Sequence, residues 1–252
     1  NVTARDITGT DATIAWTASD AGNYEVEYGV SGFAHGTGTL VTTISDDSLA
    51  ITGLTANTAY DVYVRGICDV DSSLWSFVYT FRTACGVIDA LPYVEDFESQ
   101  PTGTSTSASF VTCWNRLNNG TSYFGYPYVS NSSSYNHPAG GSRGLYWYGS
   151  TTTGTYGDYQ CVVLPPVDTD AYAITALQLS FWAKSSSASY NPVFYVGVLT
   201  DPTNINTFQA VDTINVGGNT NWAEFTTYLS NFTGYGQYIG VKAERPTSSW
   251  YA

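Results

Sequence analysis

The stretch "LTANTAYDVYVRG", residues 54–66, decides the fold. Leu54 leads into a polar turn, and Tyr60 then opens a run in which Tyr60, Val62 and Val64 alternate with Asp61, Tyr63 and Arg65. Alternation at period two marks a β-strand that buries one face. A tyrosine opening such a strand, just after an apolar residue and a turn, fits a tyrosine corner, in which the phenol bonds back to backbone a few residues upstream.

Working outward, the same alternation recurs in "ATIAW" (12–16), "NYEVEYG" (23–29), "TLVTTI" (39–44), "SLAITGL" (48–54) and "SFVYTFRT" (76–83). Tyr24, Val26 and Tyr28 share one face of their strand, with Glu25 and Glu27 on the other. Short strands at this spacing with no helical period argue for a β-sandwich. Trp16 in the second strand, Leu54 six residues before Tyr60, the Val62/Val64 alternation and the closing "YTFRTAC" (79–85) together resemble a fibronectin type III domain over residues 1–84. The resemblance implies an immunoglobulin-like sandwich of seven strands, with Trp16 in its core.

Composition narrows the partners. The chain has 252 residues, enough for one large or two ordinary domains, and 43% are hydrophobic, enough for a real core. Charged residues are only 12%, the net charge is −13, and Lys184 and Lys242 are the two lysines. So few cations cannot build a basic patch, which excludes nucleic acid as the expected partner. No apolar run approaches the ~20 residues of a membrane-spanning helix, so membrane insertion is not expected. Abundant Thr, Tyr, Ser, Asn and Gly suit an exported β-protein. Asn1 begins inside a domain pattern, so the chain reads as a mature or cut piece of something longer, its C-terminal end included.

Four cysteines stand at 68, 85, 113 and 161, none in a CxxC pair. An even count in a chain of exported character points to two disulfides, and four cysteines allow three connectivities. In a fibronectin-like sandwich Cys68 and Cys85 flank hairpin neighbours. The resemblance therefore implies Cys68–Cys85, and Cys113–Cys161 is the pair then left.

From residue 85 the pattern changes. Nine strand-like segments follow: "YVEDFE" (93–98), "SFVTCWNRL" (109–117), "GLYWYG" (144–149), "YQCVVLPPV" (159–167), "ITALQLSFWAKS" (174–185), "PVFYVGVLTD" (192–201), "FQAVDTINV" (208–216), "AEFTTYLS" (223–230) and "QYIGVKAER" (237–245). With no convincing helix among them, they predict an all-β second domain over 85–252, a larger sandwich of jelly-roll type. The strings "VEDFES", "CW" (113–114), "GGSRGLYWYGS", "YQCVVLPPVDT", "LSFWAKS", "VGVLTDP" and "YGQYIGVKAE" resemble, in order and spacing, the cleaved-adhesin and MAM-like jelly rolls of Bacteroidetes surface proteins. That resemblance implies a noncatalytic adhesion module, binding glycan or a host or surface protein and often supported by calcium. The chain departs from it in the loop after "CW", residues 115–141, which carries no acid.

Within "LPYVEDFESQ" (91–100), Glu95, Asp96 and Glu98 surround Phe97. On a strand, Asp96 and Glu98 would share the face opposite Phe97. Calcium takes about six to eight oxygens, so further ligands would have to come from carbonyls or from acids such as Asp168 or Asp201. The resemblance places a calcium ligand at the glutamate of "DFE", here Glu98, with Asp96 beside it. The alternative is a charged sheet edge that discourages pairing. Two carboxylates on one strand do not span a glycosidic bond, so a glycosidase pair is not expected.

Residues 121–160 are dense in tyrosine and tryptophan among hydroxyl and amide side chains, a composition suited to stacking on sugars or packing against a protein. Tyr123, Tyr126, Tyr128 and Tyr135, in the acid-free loop, are the candidate ligand contacts. Tyr146 and Tyr148 alternate with Trp147, so one set must face the core. The alternative is that these rings only pack a long loop onto a sheet.

Nothing specific points to catalysis. The two histidines, His35 and His137, lack a flanking nucleophile or metal-ligand spacing. "GVSGF" (29–33) lacks the last glycine of a nucleophile elbow. The reading is a secreted or cell-surface adhesion module rather than an enzyme. The alternatives are an accessory segment of a secreted peptidase or glycoside hydrolase, or a plain spacer.

Overall fold

A computed structural model describes all residues except 20, 69–70, 105, 108–109, 120–125, 134–140, 150–158, 245–249 and 252. The chain divides into two compact units, Asn1–Gly86 and Val87–Ala252. Among the described residues no helix is long and apolar enough to cross a membrane.

The first unit contains β1 (Val2–Arg5), β2 (Ala12–Trp16), β3 (Asn23–Val30), β4 (Thr39–Ile44), β5 (Ser48–Ile51), β6 (Ala59–Cys68), β7 (Asp71–Ser72) and β8 (Tyr79–Arg82). One sheet has the order β1-β2-β5, and the other runs β4-β3-β6-β7 with β8 also paired to β6. The period-two pattern aims Ala12, Ile14 and Trp16 of β2, Tyr24 and Val26 of β3, and Tyr60, Val62 and Val64 of β6 into one core. Trp16 packs there against Tyr24, with ring centroids 5.3 Å apart. The corner expected at Tyr60 is present: the Thr55 amide donates to the phenol oxygen at 2.9 Å.

The second unit is anchored at its start by Ile88, which bridges Val167 in parallel and whose amide donates to the Pro166 carbonyl at 2.7 Å. Its strands are β9 (Asn115–Asn118), β10 (Tyr128–Ser130), β11 (Gly144–Tyr146), β12 (Tyr148–Gly149), β13 (Tyr159–Val163), β14 (Gln178–Ala183), β15 (Val193–Leu199), β16 (Gln209–Asn215), β17 (Ala223–Tyr228), β18 (Tyr238–Glu244) and β19 (Trp250–Tyr251). The main sheet is five-stranded, β16-β15-β18-β13-β9, and β14-β17, β10-β11 and β12-β19 form two-stranded sheets. The largest core gathers Val162, Phe194, Val196, Val198 and Ile239 of the main sheet, with Trp147, Leu229 and Phe232. Leu179, Phe181 and Phe225 of β14 and β17 pack against it.

Two expectations fail here for clear reasons. Residues 93–98 are not a strand: Phe97 has φ 64° and sits in a turn. The Glu95 carboxylate accepts the Phe97 amide at 2.6 Å and the Asp96 carboxylate accepts the Glu98 amide at 3.0 Å, so side chains capture the amides that a ladder would need. Asp96 and Glu98 therefore do not share a strand face.

The disulfide is Cys85–Cys113, and Cys68 and Cys161 are free. The expected Cys68–Cys85 pair fails on register. In the antiparallel β6–β8 pair, Ala59 lies opposite Arg82, so Cys85 follows at the beginning of β6 while Cys68 ends it. Nine residues of strand separate those ends by about 30 Å, far beyond the reach of a disulfide. The expected Cys113–Cys161 pair fails likewise. Cys161 lies opposite Leu117 in the main sheet, while Cys113 precedes β9 in a turn with φ 66° and is not on the strand that pairs with β13.

Candidate functional site

The acids around Phe97 form a clasp. Glu98 accepts the Ser142 amide and hydroxyl, each at 2.6 Å, and the Arg143 amide at 2.8 Å. The Ser142 hydroxyl and Arg143 amide hold its carboxyl below the ordinary carboxylate value. The Arg143 guanidinium donates to the Gln100 carbonyl. The buried Gln100 side chain donates to Glu95 at 2.7 Å and accepts the Thr112 amide at 2.8 Å. The Phe97 ring meets Trp114 edge-on at 5.9 Å, and the Trp114 indole donates to the Tyr93 phenol at 3.0 Å. Residues 95–100, 112–114 and 142–143 are tied together by these contacts.

The carboxylates the sequence offered for calcium are engaged with protein donors. Both Glu98 oxygens face N–H or O–H donors, while Asp168 accepts the Asp170 amide and Asp201 the Thr203 amide and hydroxyl. Each acid closes its own turn or clasp. Among the described residues no group of three or more His, Cys, Asp or Glu side chains converges as a cation would require.

The tyrosines come together elsewhere. Tyr128 of β10 lies opposite Tyr146 of β11, with their rings 5.3 Å apart. Tyr126, just before β10, meets Tyr128 at 5.4 Å, Tyr146 at 6.2 Å and Tyr148 of β12 at 5.3 Å. The alternate positions Val129 and Trp147 are buried, Trp147 against Phe194 at 5.0 Å. Period-two geometry thus sends Trp147 inward and leaves the four phenols together on the other side. Arg116 steadies this edge by donating to the Pro127 carbonyl at 3.0 Å and the Ser107 carbonyl at 2.9 Å.

Of the expected contacts, Tyr126 and Tyr128 are brought together, half-buried rather than freely exposed because they pack on one another and on Tyr146 and Tyr148. Tyr123 and Tyr135 lie outside the described residues. Tyr146 and Tyr148 were absent from the sequence-based set. The buried Trp147 between them was the signal that both belong with the outer rings.

The fibronectin type III domain family matches residues 1–82. Among solved structures, the chain is similar to a computationally redesigned β-sandwich protein, at 25% identity over 34% of this chain and 92% of that chain, with a TM-score of 0.30. It is also similar to a myokine structure, at 21% identity over 33% of this chain and 93% of that one, with a TM-score of 0.30. The fn3 domain of human contactin 1 is similar at 14% identity over 37% of this chain and 80% of that one, with a TM-score of 0.32. No curated protein matches. Residues 1–82 are a fibronectin type III domain, and the chain is an all-β protein in which further sheets follow it.

Proposed function

We propose that this chain is a noncatalytic binding segment of a secreted or cell-surface protein. In this reading the fibronectin type III domain presents a jelly-roll unit of the cleaved-adhesin or MAM-like kind, and that unit binds a glycan or protein ligand. The observation that carries the reading is the cluster of Tyr126, Tyr128, Tyr146 and Tyr148, four amphipathic rings gathered on one side of β10–β12. Clustered phenols offer flat apolar area with hydrogen-bonding rims at low entropic cost. A fibronectin type III domain and a disulfide are both at home outside the cell. The proposed contact is carried by the rings and does not call on the carboxylates around Glu98, which accept hydrogen bonds from Ser142 and Arg143.

The test is an array of glycans and surface proteins probed with the chain, in calcium and again in EDTA, alongside Tyr126→Ala and Tyr128→Ala. Binding that survives EDTA and falls about tenfold or more in either variant, the loss of one good aromatic contact, supports the reading. Binding abolished by EDTA would move the site to a cation. Binding indifferent to both variants would move it away from the cluster.

A further inference from the structure

The outward face of β14 and β17 is built unlike an ordinary solvated sheet. Their register sets Gln178 against Tyr228, Ser180 against Thr226 and Trp182 against Glu224. Leu179, Phe181 and Phe225 occupy the alternate positions and pack on the core, so the other three pairs point away from it. On that face Trp182 is 46% exposed and Tyr228 66% exposed. One pair beyond the end of the ladder, the Lys184 ammonium lies 5.2 Å from the Trp222 ring centroid, which continues the row.

From these placements we infer that the β14–β17 face is a second binding surface, for neutral, extended, β-linked glycans. Tyr228 and Trp182 are separated by two same-face steps along the strands, about 13 Å. That span accommodates several linked pyranose rings, not one. An extended β-linked chain is a flat ribbon whose rings carry axial C–H groups on both faces. Aromatic rings on an open sheet face meet such faces by stacking, while an isolated pocket would meet the sugar edge. Between the rings the Ser180 and Thr226 hydroxyls lie 2.8 Å apart. With the Gln178 amide and the Glu224 carboxylate they supply the donors and acceptors that sugar hydroxyls need.

Charge selects within the class. Glu224 and Lys184 offset one another on this face, but the whole chain carries −13, so sulfated or uronic-acid glycans meet a net repulsion that neutral ones do not. This surface shares no residue with the tyrosine cluster and does not depend on it.

The experiment titrates the full chain by amide NMR with β-linked gluco-, manno- and chito-hexasaccharides, and with a heparin-derived hexasaccharide for comparison. The expected result is binding of at least one neutral hexasaccharide, with shifts confined to β14, β17 and Trp222. Trp182→Ala and Tyr228→Ala should each weaken it about tenfold, equivalent to about 1.4 kcal/mol. Trp182→Phe should retain most of it, and Tyr126→Ala should leave it unchanged. Tyr228→Ala and Trp182→Phe keep the test decisive if Trp182→Ala does not fold. No neutral binding at millimolar ligand, a preference for the heparin fragment, or binding indifferent to Trp182 and Tyr228 would each overturn the inference. Loss in Tyr126→Ala alone would support the tyrosine cluster and overturn the β14–β17 site.

Discussion

Asp61 is a carboxylate buried in a sandwich that carries few charges. It accepts the Ser31 hydroxyl at 3.0 Å, the Gly32 amide at 2.8 Å and the Thr80 hydroxyl at 2.6 Å, joining the end of β3 to β8 across β6. Glu27 plays a matching part, accepting the Gly36 and Gly38 amides, both at 2.8 Å, and pairing with His35, whose ring stacks on Tyr63. Burial pushes each carboxyl pKa up, but the donors outweigh it and leave both below their ordinary values of 3.8 and 4.5. A folded-state pKa below the unfolded one means that the unfolded chain binds the proton more tightly. The stabilisation is therefore fully present above the ordinary values and is lost as pH falls through the lower, folded-state ones. Asp61→Asn should cost about 1–2 kcal/mol at neutral pH, the scale of a disrupted charged hydrogen-bond set. Urea titrations at falling pH should show wild type and variant converging below the ordinary aspartate range. A gap that stays constant down to low pH would mean that the Asp61 charge does not contribute.

At the scale of elements, the Tyr60 corner joins the turn before β6 to the strand itself. The phenol accepts the Thr55 amide, while the ring is buried and stacks on Phe81 at 5.9 Å. Tyr60→Phe keeps the ring and removes the acceptor, so it should cost about 1 kcal/mol, roughly 4–8 °C in the unfolding of a unit this size. An unchanged midpoint would show that water replaces the phenol. This corner was legible because a tyrosine, an alternating strand and a polar turn are all local signals, as were β2, β3, β6, β13, β15 and β18. The segment around Phe97 was not, because "YVEDFE" has strand-like alternation while its glutamate and aspartate cap their own neighbours' amides. Strand β10 was hidden inside "YPYVS", where Pro127 reads as loop and the pairing to β11 is set sixteen residues downstream. The tyrosine cluster was half legible for the same reason: its rings were visible, and the pairing that assembles them was not.

Over the whole molecule, cysteine placement separates what is covalently fixed from what is merely buried. Sequence reasoning found hairpin neighbours in Cys68 and Cys85 but had no register to say that they stand at opposite ends of β6. The actual bond, Cys85–Cys113, closes a loop of about 28 residues and by chain entropy contributes about 3–4 kcal/mol. The two free thiols differ sharply. Cys68 is exposed at the end of β6, whereas Cys161 is fully buried beside Val163 and Leu199. Burial pushes the Cys161 pKa up to about 12, with Lys242 pulling weakly the other way. A thiolate-specific reagent should therefore modify one thiol in the native chain and both free thiols, Cys68 and Cys161, in denaturant without reductant. All four cysteines should react only after reduction. Reduction itself should lower the unfolding midpoint, and Cys68→Ser should not. Finding no reactive thiol in the denatured, unreduced chain would establish two bridges and overturn the assignment of Cys68 and Cys161 as free thiols. Finding one reactive thiol in the native chain and two in the denatured chain, mapped to Cys68 and Cys161, would leave Cys85–Cys113 as the bond that fixes the segment between them.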